Sequence, residues 1–174
     1  MSAKKAIMFN FSSSSLEEFE NKAKQAARLG ATHTFVSELP KTNWYLKHDP
    51  SDPYPNWGMR LTSLFKIIVP DILKEYLPVD YAESNLKLIK QRMGILEKLG
   101  LKGSMFIVEP FYLPEEFYRK YPSWRGPRCD HPRRTRNMYF SPCIDNPEVL
   151  EVYKQTMKKL CMEIELDYLR VVTN

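Results

Sequence analysis

The sequence predicts an α/β chain of parallel (β/α) units with four strands in succession. Three observations predict it. Short apolar runs at 6–11, 32–37, 102–109 and 166–172 alternate with longer stretches of helical periodicity. The helix-to-strand turns are short and carry Gly30 and Gly100. The two long segments, 39–60 and 121–145, both follow strands. A strand–helix–strand connection of this kind is parallel and right-handed. Long loops confined to the strand-to-helix side match a barrel whose site lies at the C-terminal strand ends.

The first strand, Ala6 to Phe11, precedes a serine cluster. Ser15 to Glu18 fits the S-x-x-E capping box, and Leu16, Phe19, Ala23 and Ala26 then recur at helical spacing. Gly30 stands where a helix end takes positive φ. The second strand runs from Thr32 to Ser37. Prolines at 40, 50, 53 and 55 exclude regular structure in the segment that follows, and a short helix is expected from Pro70 to Tyr76. Asp80 is expected to cap a longer helix, with Glu83 at its third position and an apolar stripe of Leu86, Ile89, Met93, Leu96 and Leu99. The third strand is Lys102 to Glu109. A short helix from Pro114 to near Tyr121 and a basic loop come next. Asn146 and Pro147 open a helix whose buried face is Val149, Tyr153, Met157 and Leu160. Leu166 to Val172 is the fourth strand.

The first strand–helix turn, NFSSSS, lacks a glycine phosphate loop, which disfavours a doubly wound nucleotide-binding sheet. No helix follows the fourth strand. The expectation is therefore a partial TIM barrel truncated at the C-terminus, with residues 1–174 as the N-terminal half of one (β/α)-barrel domain.

Composition agrees with a globular domain: 43% of residues are hydrophobic and 27% charged. The net charge of +5 is concentrated between Arg119 and Arg136, where seven basic residues accompany one acid, Asp130. That describes one segment, so no nucleic-acid partner is expected. Cys129, Cys143 and Cys161 form no CxxC pair, and His33, His48 and His131 have no zinc-finger spacing. Neither a metal nor another cofactor is expected. No secretory segment or long apolar run is present, so a cytoplasmic location and no membrane partner are expected.

Asn10, Glu38, Glu109 and Asn174 fall at strand tips, where barrel pockets converge. Carboxylates there act as acid, base or acceptor for hydroxyls, or they pair with the arginine-rich segment. Trp44, Tyr45, Tyr54 and Trp57 either stack on a ligand or pin a proline-rich loop. In the stretch PSWRGPRCDHPRRTRNMYFSPC, Trp124, Arg125, Arg128, Asp130 and His131 are candidate ligand contacts. The His131–Asp130 pair also suits proton transfer or, with Glu38 and Glu109, a metal site of the sugar-isomerase kind.

The stretch WRGPRCDHPRRTRNMYFSPCIDNPEVLEVYKQTMKKLC and the later strand ending in VVTN resemble glycoside-hydrolase-like barrel proteins related to the beta-N-acetylhexosaminidases. The resemblance implies a carbohydrate substrate and a catalytic Asp-Glu pair after the fourth strand, beyond Asn174. It leaves Glu38, Trp57, Glu109, Trp124, Arg125, Arg128, Asp130, His131 and Asn174 as substrate-binding candidates, in a chain inactive alone. Two other functions stay open: a metal-dependent isomerase or epimerase, and a non-catalytic module binding an anionic partner through its arginines. Half a barrel is also expected to self-associate through its sheet edges.

Overall fold

A computed structural model describes residues 5–40, 61–128 and 138–173. Four strands, β1 (Met8–Phe9), β2 (His33–Phe35), β3 (Lys102–Val108) and β6 (Tyr168–Val172), form one parallel sheet in the order β1-β2-β3-β6. Within this sheet each strand neighbours the next one in sequence, as consecutive (β/α) units of a barrel require. A doubly wound sheet reverses its strand order instead. The long helices are α1 (Leu16–Arg28), α2 (Val79–Lys98) and α4 (Pro147–Glu163), and a short α3 spans Glu115–Lys120.

Side chains alternate along a strand, so paired residues of a parallel ladder share a face. On the outer face lie Phe9, Val36, Met105, Ile107 and Leu169. They join Phe19, Ala23 and Ala26 of α1, Ala82, Ile89 and Leu96 of α2, and Val149 and Leu160 of α4 in one hydrophobic core. On the inner face lie Met8, His33, Phe35, Ser104, Phe106, Tyr168 and Arg170. Near the N-terminal strand ends a polar chain crosses the whole sheet. The Thr32 hydroxyl accepts from Ile7 N–H at 2.8 Å and meets His33 Nδ1 at 2.7 Å. His33 Nε2 lies 2.6 Å from the Asp167 carboxylate, which also pairs with Lys102. Lys102 first, and then His33, hold the Asp167 carboxyl below its ordinary value.

The helix ends show where local chemistry acts. Ser15 caps α1 by accepting from Glu18 N–H at 3.1 Å. Glu18 reaches back to Ser14 N–H at 2.7 Å and to the Ser14 hydroxyl, one residue earlier than the capping box places it. Gly30 and Gly100 have φ of +84° and +67°, as helix termination at these turns requires. Asp80 is not the cap of α2. The helix starts at Val79 behind Pro78, whose ring fixes φ for chain entry, and Asp80 sits in the first turn against the positive end of the helix. The expected helix at 70–76 is a single 3₁₀ turn, Asp71–Leu73, preceded by another at Leu64–Lys66. In α4, Asn146 caps and Pro147 follows, while Thr156 is buried with Val149 and Leu160, and Tyr153 and Met157 are half-buried.

The basic loop is not irregular throughout. Arg125–Arg128 (β4) and Phe140–Pro142 (β5) pair antiparallel. Gly126 permits this: a Cβ there would lie 2.7 Å from Ser141 O and 2.8 Å from Cys143 N. Both neighbours are backbone and cannot step aside. Gly126→Ala is therefore expected to destabilise the chain by about 1–3 kcal/mol in denaturant melts. An unchanged midpoint would show that the hairpin is looser than described.

Candidate functional site

At the C-terminal strand ends the inner face opens into a cavity of about 330 Å³. Asn10 and Ser12 follow β1, Phe35 ends β2 with Ser37 and Glu38 just beyond it, Phe106 comes from β3, and Arg170 from β6; Leu61 and Thr62 complete the wall. Two layers result. Phe35 is level with Ser104 and Tyr168, and Phe106 is level with Arg170. The Ser37 hydroxyl accepts from Phe106 N–H at 3.0 Å, which puts Ser37 in the upper layer. The lining is therefore mixed: two half-buried aromatic rings, hydroxyls and an amide, one carboxylate and one guanidinium. Its volume is at the lower end of the range for small-molecule sites, about 300–1,000 Å³.

The wall is positioned from below. Thr62 bridges two strand ends: its carbonyl accepts from Val108 N–H at 2.9 Å, and its hydroxyl donates to Ser37 O. Two residues on, Leu64 N–H donates to the Glu109 carboxylate. Glu109 also accepts from Phe111 N–H at 2.9 Å and from the Tyr153 hydroxyl at 3.0 Å. Glu109 is 6% exposed and does not line the cavity. Burial pushes its pKa up to about 7, against the pull of these three donors and of Lys66. Lys66, also buried, donates to Leu61 O at 2.7 Å and lies 4.6 Å from the Phe111 ring centre. Burial brings its pKa down to about 7.

The other candidates separate. Glu38 lines the cavity, and its carboxylate accepts from Ser13 N–H at 2.9 Å. Arg92 of α2, itself buried, donates to Val36 O at 2.9 Å and to Glu38 O, so the backbone beneath Glu38 is fixed. Trp124 is fully buried in the core and donates its ring N–H to Glu148 at 2.9 Å, so it offers no face for stacking. Arg125 pairs with Glu115 and lies over the Tyr118 and Phe140 rings, which commits it to joining α3 and the hairpin. Arg128 is the last residue of β4. Trp57, Asp130, His131 and Asn174 lie outside the described residues, as do Trp44, Tyr45 and Tyr54. Among the described residues no group of three His, Cys, Asp or Glu side chains gathers as a metal site. No helix among them is long and apolar enough to cross a membrane.

Ser12, Phe35, Ser37, Thr62, Phe106 and Arg170 were not among the candidates. Arg170 carried a signal: a lone charge inside the apolar run YLRVV sits on a face that is not core. Phe106 carried none, because GSMFIV is too uniformly apolar to reveal its alternation.

No protein-family model and no curated protein matches the chain. Among solved structures, it is similar to the galactosidase domain of the alpha-galactosidase-sucrose kinase AgaSK, with a TM-score of 0.51 and 18% identity. It is similar also to a family 36 alpha-galactosidase, AgaA, from Geobacillus stearothermophilus in complex with stachyose, with a TM-score of 0.50 and 16% identity. Each match covers 97% of this chain and 21% of the other, so the chain spans about a fifth of those proteins. At this identity the likeness is one of fold, shared with glycoside hydrolase domains. Both are alpha-galactosidases, and neither speaks for the hexosaminidase-like resemblance.

The burial of Glu109 has a pH signature. Its folded pKa is raised from 4.5 to about 7, so the folded state binds the proton more tightly than the unfolded chain. That contribution favours folding at low pH and is lost as pH rises from about 4.5 to about 7. Lys66 acts in the separate window above pH 7, where rising pH restores stability. Melts of wild type and Glu109→Gln should therefore shift in favour of the variant between pH 5 and pH 8. A difference that stays constant with pH would contradict the burial argument.

Proposed function

We propose that residues 1–174 form the N-terminal half of a (β/α)-barrel glycoside hydrolase domain, with sugar bound on the inner face at the C-terminal strand ends. One observation carries this: the cavity gathers side chains from or just beyond all four parallel strands at the end where barrel enzymes hold substrate. Its chemistry suits a saccharide. Phe35 and Phe106 offer apolar faces for sugar C–H groups, while Asn10, Ser12, Ser37, Thr62 and Glu38 offer hydrogen-bond partners for hydroxyls. The fold likeness to alpha-galactosidase domains supports the same class.

Among the described residues, Glu38 is the one carboxylate lining this cavity, whereas most glycosidases flank the scissile bond with two. The chain alone should therefore bind without hydrolysing. Of the basic segment Arg119 to Arg136 that the anionic-partner alternative invokes, Arg125 is already paired with Glu115 of α3.

Calorimetric titration of the chain with an oligosaccharide series, stachyose included, tests this. Phe106→Ala should weaken binding about three- to tenfold, the worth of one aromatic contact. Binding indifferent to Phe106→Ala and Glu38→Gln, or turnover by the chain alone, would contradict the proposal. Among the described residues, β1 pairs with β2 alone and β6 with β3 alone, and Tyr168 and Val171 are 56% and 48% exposed. Size-exclusion chromatography should therefore show species larger than a monomer. A clean monomer would contradict the open half-barrel.

A further inference from the structure

The guanidinium of Arg170 is the unusual group in the cavity. It projects from the inner face of β6, level with Phe106 on β3, and lies 5.8 Å from that ring's centre. Among the described residues this ring is its one charge-related contact; no acid pairs with it. The arginines at two other positions are engaged within the fold, Arg92 with two backbone carbonyls and Arg125 with Glu115. A guanidinium beside an aromatic ring in a polar cavity, with no acid among the described residues on its donors, suits a planar anion. Carboxylate matches its forked donors bidentately.

The other charge in the cavity does not oppose this. Glu38 follows β2 and Arg170 is on β6, with β3 between them, so two strand spacings separate their strands, about 10 Å. An anion on Arg170 is kept from Glu38, and Glu38 remains an acceptor for hydroxyls. Between them stands the Phe106 ring, with Ser37 in the same layer. The order across the cavity is cation, apolar platform, hydroxyl acceptor.

We propose that the cavity selects a sugar bearing a carboxylate, a hexuronate, with its carboxylate on Arg170, its ring against Phe106 and its hydroxyls toward Glu38. This rests on the saccharide function proposed above and narrows it to acidic sugars.

The test is titration of the 174-residue chain with glucose, glucuronate and acetate, in wild type, Arg170→Gln and Arg170→Lys. Glucuronate should bind at least about tenfold tighter than glucose, about 1.4 kcal/mol or more, as a charge-assisted hydrogen bond gives. Arg170→Gln should erase that preference by weakening glucuronate binding more than glucose binding, and Arg170→Lys should retain part of it. Arg170 is exposed, and unchanged circular dichroism of the variants would exclude misfolding as the cause. Equal binding of glucose and glucuronate would overturn the acidic specificity and leave the saccharide site standing. Acetate binding as tightly as glucuronate would reduce Arg170 to a general anion contact and overturn it too. Binding of neither sugar would overturn both proposals.

Discussion

The Glu109 carboxylate, buried at the end of β3, accepts hydrogen bonds from three parts of the chain far apart in sequence: Leu64, Phe111 and Tyr153. The segment after Leu61, the end of β3 and helix α4 meet at this junction. It holds the segment that returns from the long excursion after β2, and two residues earlier that segment supplies Thr62, which ties the ends of β2 and β3 together. It holds α4 to β3 through Tyr153. Together with the Thr62 and Lys66 hydrogen bonds, it fixes the segment that carries Leu61 and Thr62 of the cavity wall. The cost is a carboxyl group kept from water, which is why its proton affinity rises.

The sheet has two unlike faces because of what each must meet. The outer face packs against three amphipathic helices, so Val36, Met105 and Ile107 are apolar and buried. The inner face carries Phe35, Phe106 and Arg170, a set too polar and too open to be a finished core. At the opposite end from the cavity, the Thr32–His33–Asp167–Lys102 chain stitches all four strands. Rigidity at one end and an open polar lining at the other is the division expected of a barrel-type scaffold.

Much of the framework was legible in the sequence because it depends on local rules. The Ser15 and Asn146 caps, the glycine turns and the helical stripes follow from short-range chemistry, and the structure shows each one. What was not legible depends on long-range contact. The β4–β5 pairing is set by Gly126 passing under the Ser141 backbone, and nothing near Gly126 in sequence announces that partner. Glu38 stands three residues beyond β2 and lines the cavity. Glu109 stands one residue past β3, but its side chain is turned into the junction by donors 45, 2 and 44 residues away. Trp124 illustrates the same limit: a tryptophan amid arginines resembles a ligand platform until Glu148 and the core are seen to enclose it.

The central claim is that ligand binds on the inner face, at the strand ends. Amide chemical-shift mapping of the isotopically labelled chain during titration with a saccharide it binds tests this most directly. The account predicts shifts clustered at Asn10, Ser12, Ser37, Glu38, Thr62, Phe106 and Arg170. Shifts confined instead to the groove between α2 and α4, around Lys90, Glu97 and Glu163, would contradict it.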